Sequence, residues 1–496
     1  MQDVISVENM RLSDKYTIDN ITPSRELMLR AGRAVYENVS WYGKIAIVCG
    51  VGNNGGDGYV IAGLLNENGY DCEIILIKNK FSEDGEYYFK KCVDAKIPYK
   101  IYESEMDFQK YNIIVDCIFG TGFKGDVLGV EGEVIKKINA SGAYTVSVDI
   151  NSGLNGDTGL CNLCVESNLT VSIGTIKSGH ILNKAKDKIA RLINCDIGIT
   201  PVGRPYHLLD GMDVRALIKE RLNYSHKGTY GYVALIGGSK EYSGAIKLAN
   251  LASSCVRSGA GVVRLCVPRC ISHSVMPYIL ESTLYELSDN GGNIVFKKEE
   301  IDGALKGTRA VAIGMGMGQE GENAELLSYV LENYEGIVII DADGLNTLAK
   351  MESSVLKCPK GRVVLTPHLK EFERLSKIPI SEINKNPIKY AKEYARKNNV
   401  ILLLKGTATI ITDGERVYLT NTGCPGMAKG GSGDVLSGVL AGICASNACS
   451  LIENVAISAY INGYAGEIAQ DELCSISMTA SDTAKSIAQA ISRLNN

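Results

Sequence analysis

Two spacings of apolar residues alternate along the chain. Between residues 8 and 40, E-N-M-R-L-S-D-K-Y-T-I-D and S-R-E-L-M-L-R-A-G-R-A-V-Y-E-N-V repeat them at three- and four-residue intervals. That spacing predicts two helices, with Ser24 after Pro23 as N-cap of the second. K-I-A-I-V-C then reads as a buried strand, Y-V-I-A-G-L-L-N as a helix, C-E-I-I-L-I as a strand and residues 82–95 as a helix. N-I-I-V-D-C-I-F, a further helix pattern and Y-T-V-S-V-D-I continue the series. Strand and helix in strict alternation predict a mostly parallel sheet covered on both faces.

After residues 197–213, which hold Pro201 and Pro205 and lack periodicity, a second alternation begins. Its strands are Y-V-A-L-I, V-V-R-L-C-V, A-V-A-I-G, I-V-I-I-D-A-D and R-V-V-L-T, and residues 243–261 and 386–398 read as helices. N-V-I-L-L-L-K-G-T-A-T-I-I-T-D-G-E-R-V-Y-L-T reads as paired strands with a turn at Asp413 and Gly414. The expected architecture is therefore α/β throughout, with one domain over 1–210 and another over 211–496. A length of 496 residues agrees, being too great for one ordinary core.

Composition narrows the function classes. A net charge of −4 with interspersed signs gives no basis for nucleic acid or an anionic membrane surface as partner. No uncharged apolar run reaches membrane-spanning length, and the first ten residues lack a basic and apolar leader pattern. Fifteen cysteines are scattered, several inside strand patterns such as Cys49, Cys117 and Cys266, which predicts reduced thiols and a cytoplasmic protein. The single C-x-x-C, Cys161 to Cys164, has neither a second pair nor a nearby His to make a zinc site.

Candidate chemistry sits at the carboxyl ends of strands, the ligand-binding edge of an open parallel sheet. Three loops gather there in the first half: Asn53, Asn54, Gly55, Gly56 and Asp57; Asp116 with Gly120, Thr121, Gly122, Phe123, Lys124, Gly125 and Asp126; and Asp149 with Ser152. Oxygen ligands from Asn54, Asp116 and Ser152 suit a hard cation, and Asp149 is the acid/base candidate. In the second half T-G-C-P-G-M-A-K-G-G-S-G-D-V-L, Thr422 to Leu436, places Gly430, Gly431, Ser432 and Gly433 before a helix pattern. Such a helix start attracts an anion. Asp434 there is either a proton acceptor for a hydroxyl being phosphorylated or merely a helix cap. Lys405, Gly406, Thr407, Ala408 and Thr409 form a second phosphate candidate, although no Walker loop is present. His368, at a strand end, reads as a substrate contact or a capped loop.

G-N-N-G-G-D-G, D-C-I-F-G-T-G-F-K-G-D and V-D-I-N-S-G-L-N-G-D-T-G resemble the motifs of NAD(P)H-hydrate epimerases, through about residue 205. The resemblance implies a Rossmann-like domain interconverting the R and S hydrates, NADHX and NADPHX. Potassium (K+) would be held by Asn54, Asp116 and Ser152, with Asn53 to Asp57, Gly120 to Asp126 and Asp149 lining the substrate. Asn151 stands where that family usually has proline. The Thr422 string, with T-P-H-x-x-E-F, H-K-G-x-x-G and D-A-D-G-L-N, is similar to the ADP- or ATP-dependent NAD(P)H-hydrate dehydratases of ribokinase-like fold. That similarity implies Asp434 as base, with Lys405 to Thr409 and Gly430 to Gly433 on the nucleotide. Ala245, Gly316 and His368 would contact the hydrate, and Mg2+ and ADP would serve the transfer. Cys424, Lys429, Lys370, Met315 and Met317 depart from the family's usual residues.

The expected protein is a bifunctional repair enzyme, a homo-oligomer, acting on NAD(P)H hydrates. The alternative is a ribokinase-like small-molecule kinase fused to a nucleotide-binding scaffold.

Overall fold

The computed structural model describes residues 1–253, 257–351, 356 and 361–495. The chain divides into two compact units, residues 2–206 and 207–496, the second also counting Met1.

In the first unit seven parallel strands lie in the order β4-β3-β2-β5-β6-β7-β9. They are β2 (Ile45–Cys49), β3 (Cys72–Leu76), β4 (Tyr99–Ile101), β5 (Ile113–Cys117), β6 (Tyr144–Val148), β7 (Leu169–Ile173) and β9 (Leu192–Cys195), while β1 (Gln2–Ile5) pairs separately with β8 (Ile176–Lys177). Every residue of β2 and β5 is buried. Ile45, Ile47 and Cys49 enter one core while Ala46 and Val48 enter the other, the two-residue period of a strand covered on both faces. After β2 the chain winds outward through β3 and β4, then returns so that β5 lies on the other side of β2. The crevice between the loops following β2 and β5 is a topological switch point, where open sheets bind ligands.

The second unit repeats this plan. Strands β10 (Tyr206–Leu208), β11 (Tyr232–Ile236), β12 (Val262–Pro268), β13 (Thr283–Leu287), β16 (Ala310–Ile313), β17 (Ile337–Ile340), β18 (Val363–Leu365), β19 (Ile401–Leu404), β20 (Thr409–Thr412) and β21 (Val417–Thr420) run β13-β12-β11-β16-β17-β18-β19-β20-β21-β10. A short antiparallel pair, β14 (Asp289–Asn290) and β15 (Asn293–Ile294), stands apart. Pairing is parallel as far as β19 and antiparallel through the β20–β21 hairpin. The reversal falls between β11 and β16. The helix Ser432–Ser446 is buried continuously from Val435 to Ala445 and packs on the helix Ser243–Ser253. Its sequence V-L-S-G-V-L-A-G-I-C-A is apolar all round, as a central helix must be.

Several boundaries differ from the sequence reading. Pro23, not Ser24, is the N-cap of the helix Ser24–Glu37. The helix after β2 starts at Asn53 rather than Tyr59. It can do so because Gly55 lies against the carbonyl of Gly50, where a Cβ would stand 2.3 Å from that oxygen. I-V-I-I-D-A-D, read as a strand, ends as one at Ile340, and its last two residues open the helix Ala342–Leu348. The helix expected over 243–261 spans Ser243–Ser253; positions 254–256 lie outside the described residues, and 257–259 form a turn.

Candidate active sites

The first unit's switch point opens into a cleft of about 550 Å³. Asn53, Asn54, Asp57, Gly120, Thr121, Gly122, Phe123 and Asp149 line it, together with Asp14 and Lys177. Of the residues expected there, Gly55, Gly56, Lys124, Gly125 and Asp126 are not in the lining. Apolar side chains of Met10, Ile18, Leu27, Met28 and Ile173 form much of the remaining wall.

Asp149 follows β6 directly and sits in the left-handed backbone region at φ 64°, a conformation a non-glycine residue keeps only when its surroundings enforce it. Several contacts do so. Its N–H donates to Val171 O at 2.8 Å, its Oδ1 accepts from Lys177 Nζ at 2.5 Å, and the Ile173 N–H reaches the same oxygen at 3.3 Å. The backbone N–H of Lys177 donates to His180 Nδ1 at 3.1 Å, which leaves the ring proton on Nε2 to be donated to Asp149 O at 2.7 Å. Burial, assisted by the Lys177 charge, lowers His180 to about 4 and keeps the imidazole neutral.

The carboxylates of this cleft are driven apart. Burial alone would raise Asp149, but Lys177 outweighs it and holds the group below its usual range. Burial, with Asp149 and Asp14 adding repulsion, pushes Asp57 well above its range. Asp14 is raised to about 6, by burial first, against the Lys177 charge. An ionised and a protonated carboxyl in one cleft form an acid–base assignment.

Beneath this cleft Asp116, fully buried in β5, accepts hydrogen bonds from Ser147 Oγ (2.9 Å), Ser152 N (2.9 Å), Ser152 Oγ (2.5 Å) and Ile118 N (3.2 Å). Ser152 Oγ also accepts from Phe119 N at 2.8 Å, and Asn54 Nδ2 donates to Phe119 O at 3.0 Å. Asn54 Oδ1 is left buried without a partner. A buried amide oxygen so placed has its lone pairs free for a cation.

Asn151, where proline would lock the turn, is fully buried. Its Nδ2 donates to Val165 O (2.9 Å), Ser167 Oγ (3.0 Å) and Lys188 O (2.9 Å), and its Oδ1 accepts from Thr170 Oγ1 at 2.5 Å. Side-chain hydrogen bonds here supply the fixation that a pyrrolidine ring would otherwise give.

In the second unit Gly431 caps the helix Ser432–Ser446 at φ 95°, and a Cβ there would stand 2.4 Å from Leu248 Cδ1. Only glycine meets both demands. Asp434 lies inside the first turn and is not the cap. Gly430 has open space around its missing Cβ, while Gly433 presses on an ion pair, its Cβ position lying 3.4 Å from Lys405 Nζ and 3.5 Å from Asp341 Oδ2. Lys405 Nζ donates to Asp341 Oδ1 at 2.9 Å and lies 3.9 Å from Glu371 Oε2; Ser437 Oγ donates to Asp341 Oδ2 at 2.7 Å. Asp341 is buried, and Lys405 overcomes that burial to keep it ionised. Burial lifts Asp434 to about 7, with Asp341 repelling and Lys405 opposing. A carboxyl poised at neutrality beside a fixed ammonium and a helix N-terminus can accept a proton while an anion is held.

Gly406 and Thr407 are exposed, Ala408 is buried and Thr409 begins β20. Ser432 Oγ donates to Met427 O at 2.7 Å. Gly316, at φ 64°, is adjacent to Ala245, whose Cβ would be 2.8 Å from a Cβ at 316. His368 caps the helix Leu369–Ser376, its Nδ1 accepting from Lys370 N (3.1 Å) and Glu371 N (3.3 Å), with Nε2 3.5 Å from Glu371 Oε1. It is therefore a cap, and its half-exposed Nε2 edge remains available. Lys429 donates to Ile476 O at 2.6 Å and Met478 O at 2.5 Å, tying the glycine loop to the end of a long helix. Met315 and Met317 are buried.

Sequence reasoning passed over Asp14, Lys177 and His180, and gave no role to Asp341, Glu371 and Ser437. Lys177 and His180 carried a signal: they follow strand β7 in S-I-G-T-I-K-S-G-H, at the same sheet edge as the loops already singled out. Asp341 and Glu371 lay within quoted motifs.

Residues 24–179 match the family described as YjeF-related protein N-terminus, and residues 233–489 the family described as NAD(P)H-hydrate dehydratase. The chain is 33% identical to the bifunctional NAD(P)H-hydrate repair enzyme Nnr of Moorella thermoacetica, covering 97% of this chain and 94% of that protein. It is also 33% identical to that of Archaeoglobus fulgidus, covering 94% of each. Among solved structures, the ADP/ATP-dependent NAD(P)H-hydrate dehydratase of Bacillus subtilis, co-crystallised with ATP/Mg2+, is 28% identical with a TM-score of 0.50, covering 58% of this chain and 99% of that one.

Proposed function

The chain belongs to the family of bifunctional NAD(P)H-hydrate repair enzymes, and from that premise we propose that its first unit epimerises the R and S hydrates of NADH and NADPH while its second dehydrates the S form at the expense of ADP. The observation that carries the reading is Asp434, lifted to about 7 beside the Lys405–Asp341 pair at a glycine-lined helix start.

Hydration of an enamine double bond puts the hydroxyl on the carbon next to the ring nitrogen. In the first unit Asp57, held protonated, gives its proton to that hydroxyl. The C–O bond breaks, water leaves and the nitrogen lone pair forms C=N+. Asp149, held ionised by Lys177, stabilises the cation until water adds to either face and returns its proton to Asp57. Asn54 Oδ1, Ser152 Oγ and the Asp116 carboxylate would hold potassium, and the orphaned Asn54 oxygen fits that role. When bound, the ion supplies fixed positive charge beneath the cleft. Asn53 and the Gly120–Phe123 loop would contact the hydrate; Lys124, Gly125 and Asp126 are further from this role.

In the second unit Asp434 takes the hydroxyl proton as oxygen attacks the β-phosphorus of ADP and AMP departs. Lys405 and the Gly430–Gly433 amides hold the phosphates, with Lys405 to Thr409 bordering the nucleotide. The new phosphate ester then breaks its C–O bond, the nitrogen lone pair forms C=N+, and the departing phosphate takes the neighbouring C–H proton, restoring the double bond. Phosphate leaves far more readily than hydroxide. Ala245, Gly316 and His368 Nε2 would face the hydrate. Among the described residues no group of three or more His, Cys, Asp or Glu is placed to hold a metal ion. Mg2+ needs only one or two carboxylates besides phosphate oxygens and water, and we place it on the phosphates of the nucleotide. A homo-oligomer belongs to the same reading and is tested by light scattering.

The deciding experiment incubates the S hydrate with ADP and ATP in parallel. Dihydronicotinamide absorbance should return, with AMP formed from ADP. A stable phosphate ester without that absorbance would mean a small-molecule kinase, and undiminished dehydration by Asp434→Asn would remove the assigned base.

A further inference from the structure

Outside the cleft, the first unit carries a close pair of thiols. Cys161 and Cys164 bring their sulfurs to 3.4 Å in a bend that belongs to neither helix nor strand. Cys161 is partly exposed and Cys164 is buried. The close contact with Cys164 holds Cys161 below the usual thiol range; burial opposes this, and the charges of Lys184 and Lys188 assist. The same contact, with burial, holds Cys164 high. One sulfur is thus an accessible thiolate and the other a buried thiol beside it, the arrangement of an attacking and a resolving cysteine.

The bend is fastened to two of the three polar loops of the unit. Asn162 clamps Val127, accepting from its N–H at 3.0 Å and donating to its carbonyl at 3.1 Å. Cys164 O accepts from Asn139 Nδ2 at 2.9 Å, and Val165 N donates to Ser152 O at 3.0 Å. Leu163 packs in the same cluster as Phe123 and Val127.

We propose that Cys161 and Cys164 form a reversible disulfide under low-molecular-weight disulfide oxidants, and that closing it releases Asn162 from Val127 and loosens the 120–127 loop. The Cys161 thiolate attacks a small disulfide RS–SR, forming a Cys161–S–SR bond and expelling RS−. Cys164 then loses its proton and attacks the Cys161 sulfur, expelling the second RS−. Two electrons pass from the cysteines to RS–SR; the Cys164 proton converts one RS− ion to RSH, and solvent supplies the proton of the other. The sulfurs need to close by about 1.3 Å to reach a disulfide bond length, a shift borne by the two residues between them, Asn162 included.

The test uses the full chain in glutathione buffers of rising disulfide content, with thiol alkylation, peptide mapping and hydrogen exchange, none of which depends on the activity of either site. An internal 161–164 disulfide should form and reverse with dithiothreitol. Exchange at Val127 should quicken by up to about tenfold, the worth of one hydrogen bond. Cys164→Ser should instead retain glutathione on Cys161, and Cys161→Ser should form neither product. Free alkylatable thiols at both positions in the oxidising buffer overturn the proposal, as does a disulfide that leaves Val127 exchange unchanged.

Discussion

Replacing Asp434 by Asn tests the second site through stability as well as activity. The Asp434 carboxyl titrates near 7 in the fold against an ordinary 3.8. Its folded value is raised, so between those two values the folded chain binds more protons than the unfolded one. Stability therefore falls as pH rises through that window and levels off above 7. Linkage puts the penalty at about 2 kcal/mol at pH 5 and about 4 kcal/mol at pH 8. Asn carries no charge and escapes both, at a cost for its own buried amide that does not depend on pH. The mutant-minus-wild-type difference in stability should thus grow by about 2–3 kcal/mol between pH 5 and pH 8. Unfolding entropy of about 2.1 cal/mol/K per residue over residues 207–496 converts this to about 4 °C in Tm. Calorimetry at the two pH values, following the transition of the second unit, measures the change directly. Dehydration should meanwhile fall by at least about a hundredfold, the usual worth of a positioned general base, while epimerisation is retained. An equal Tm difference at pH 5 and pH 8 would show that Asp434 titrates normally and refute the reasoning, whatever happened to activity.

Four further outcomes follow from the geometry. Lys177→Met leaves the Asp149 carboxylate without its buried partner, so the first unit should lose about 3–5 kcal/mol in denaturant unfolding and its R-to-S conversion should collapse. Asn151→Ala removes four hydrogen bonds of the turn beside Asp149 and should cost about 2–4 kcal/mol with a lower epimerisation kcat, measured by unfolding and by hydrate interconversion. Gly431→Ala forces a Cβ into Leu248 at φ 95°; dehydration with ADP should fall steeply while epimerisation stays, and full activity would count against the glycine cradle. Potassium chloride should raise the first unit's Tm above that in choline chloride of equal strength, and Asn54→Ala should abolish the gain.

The fold was largely legible because both sheets bury strands on two faces and announce them as unbroken apolar runs, as I-A-I-V-C and Y-V-A-L-I do. What periodicity could not place was structure whose reason lies elsewhere in the chain. Asn53 reads as loop because N-N-G-G-D is polar and rich in glycine, yet it starts a helix, since Gly55 lets that turn rest on the Gly50 carbonyl. Asp341 reads as the end of a strand, and the partner that gives it a role, Lys405, lies 64 positions further on. The same division explains the sites. Loops at strand ends could be collected from sequence alone, so Asn54, Asp57, Asp116, Asp149 and Asp434 were all in view. Their protonation states were not, because burial and a single lysine decide them. Lys177 holds Asp149 ionised while Asp57, in the same cleft, is pushed the other way; Lys405 holds Asp341 ionised while Asp434 is left near neutrality. Each unit thus places one lysine against one carboxylate and keeps a second carboxyl protonated or close to it. That arrangement gives each candidate site a fixed ion pair beside a carboxyl that burial has lifted toward neutrality.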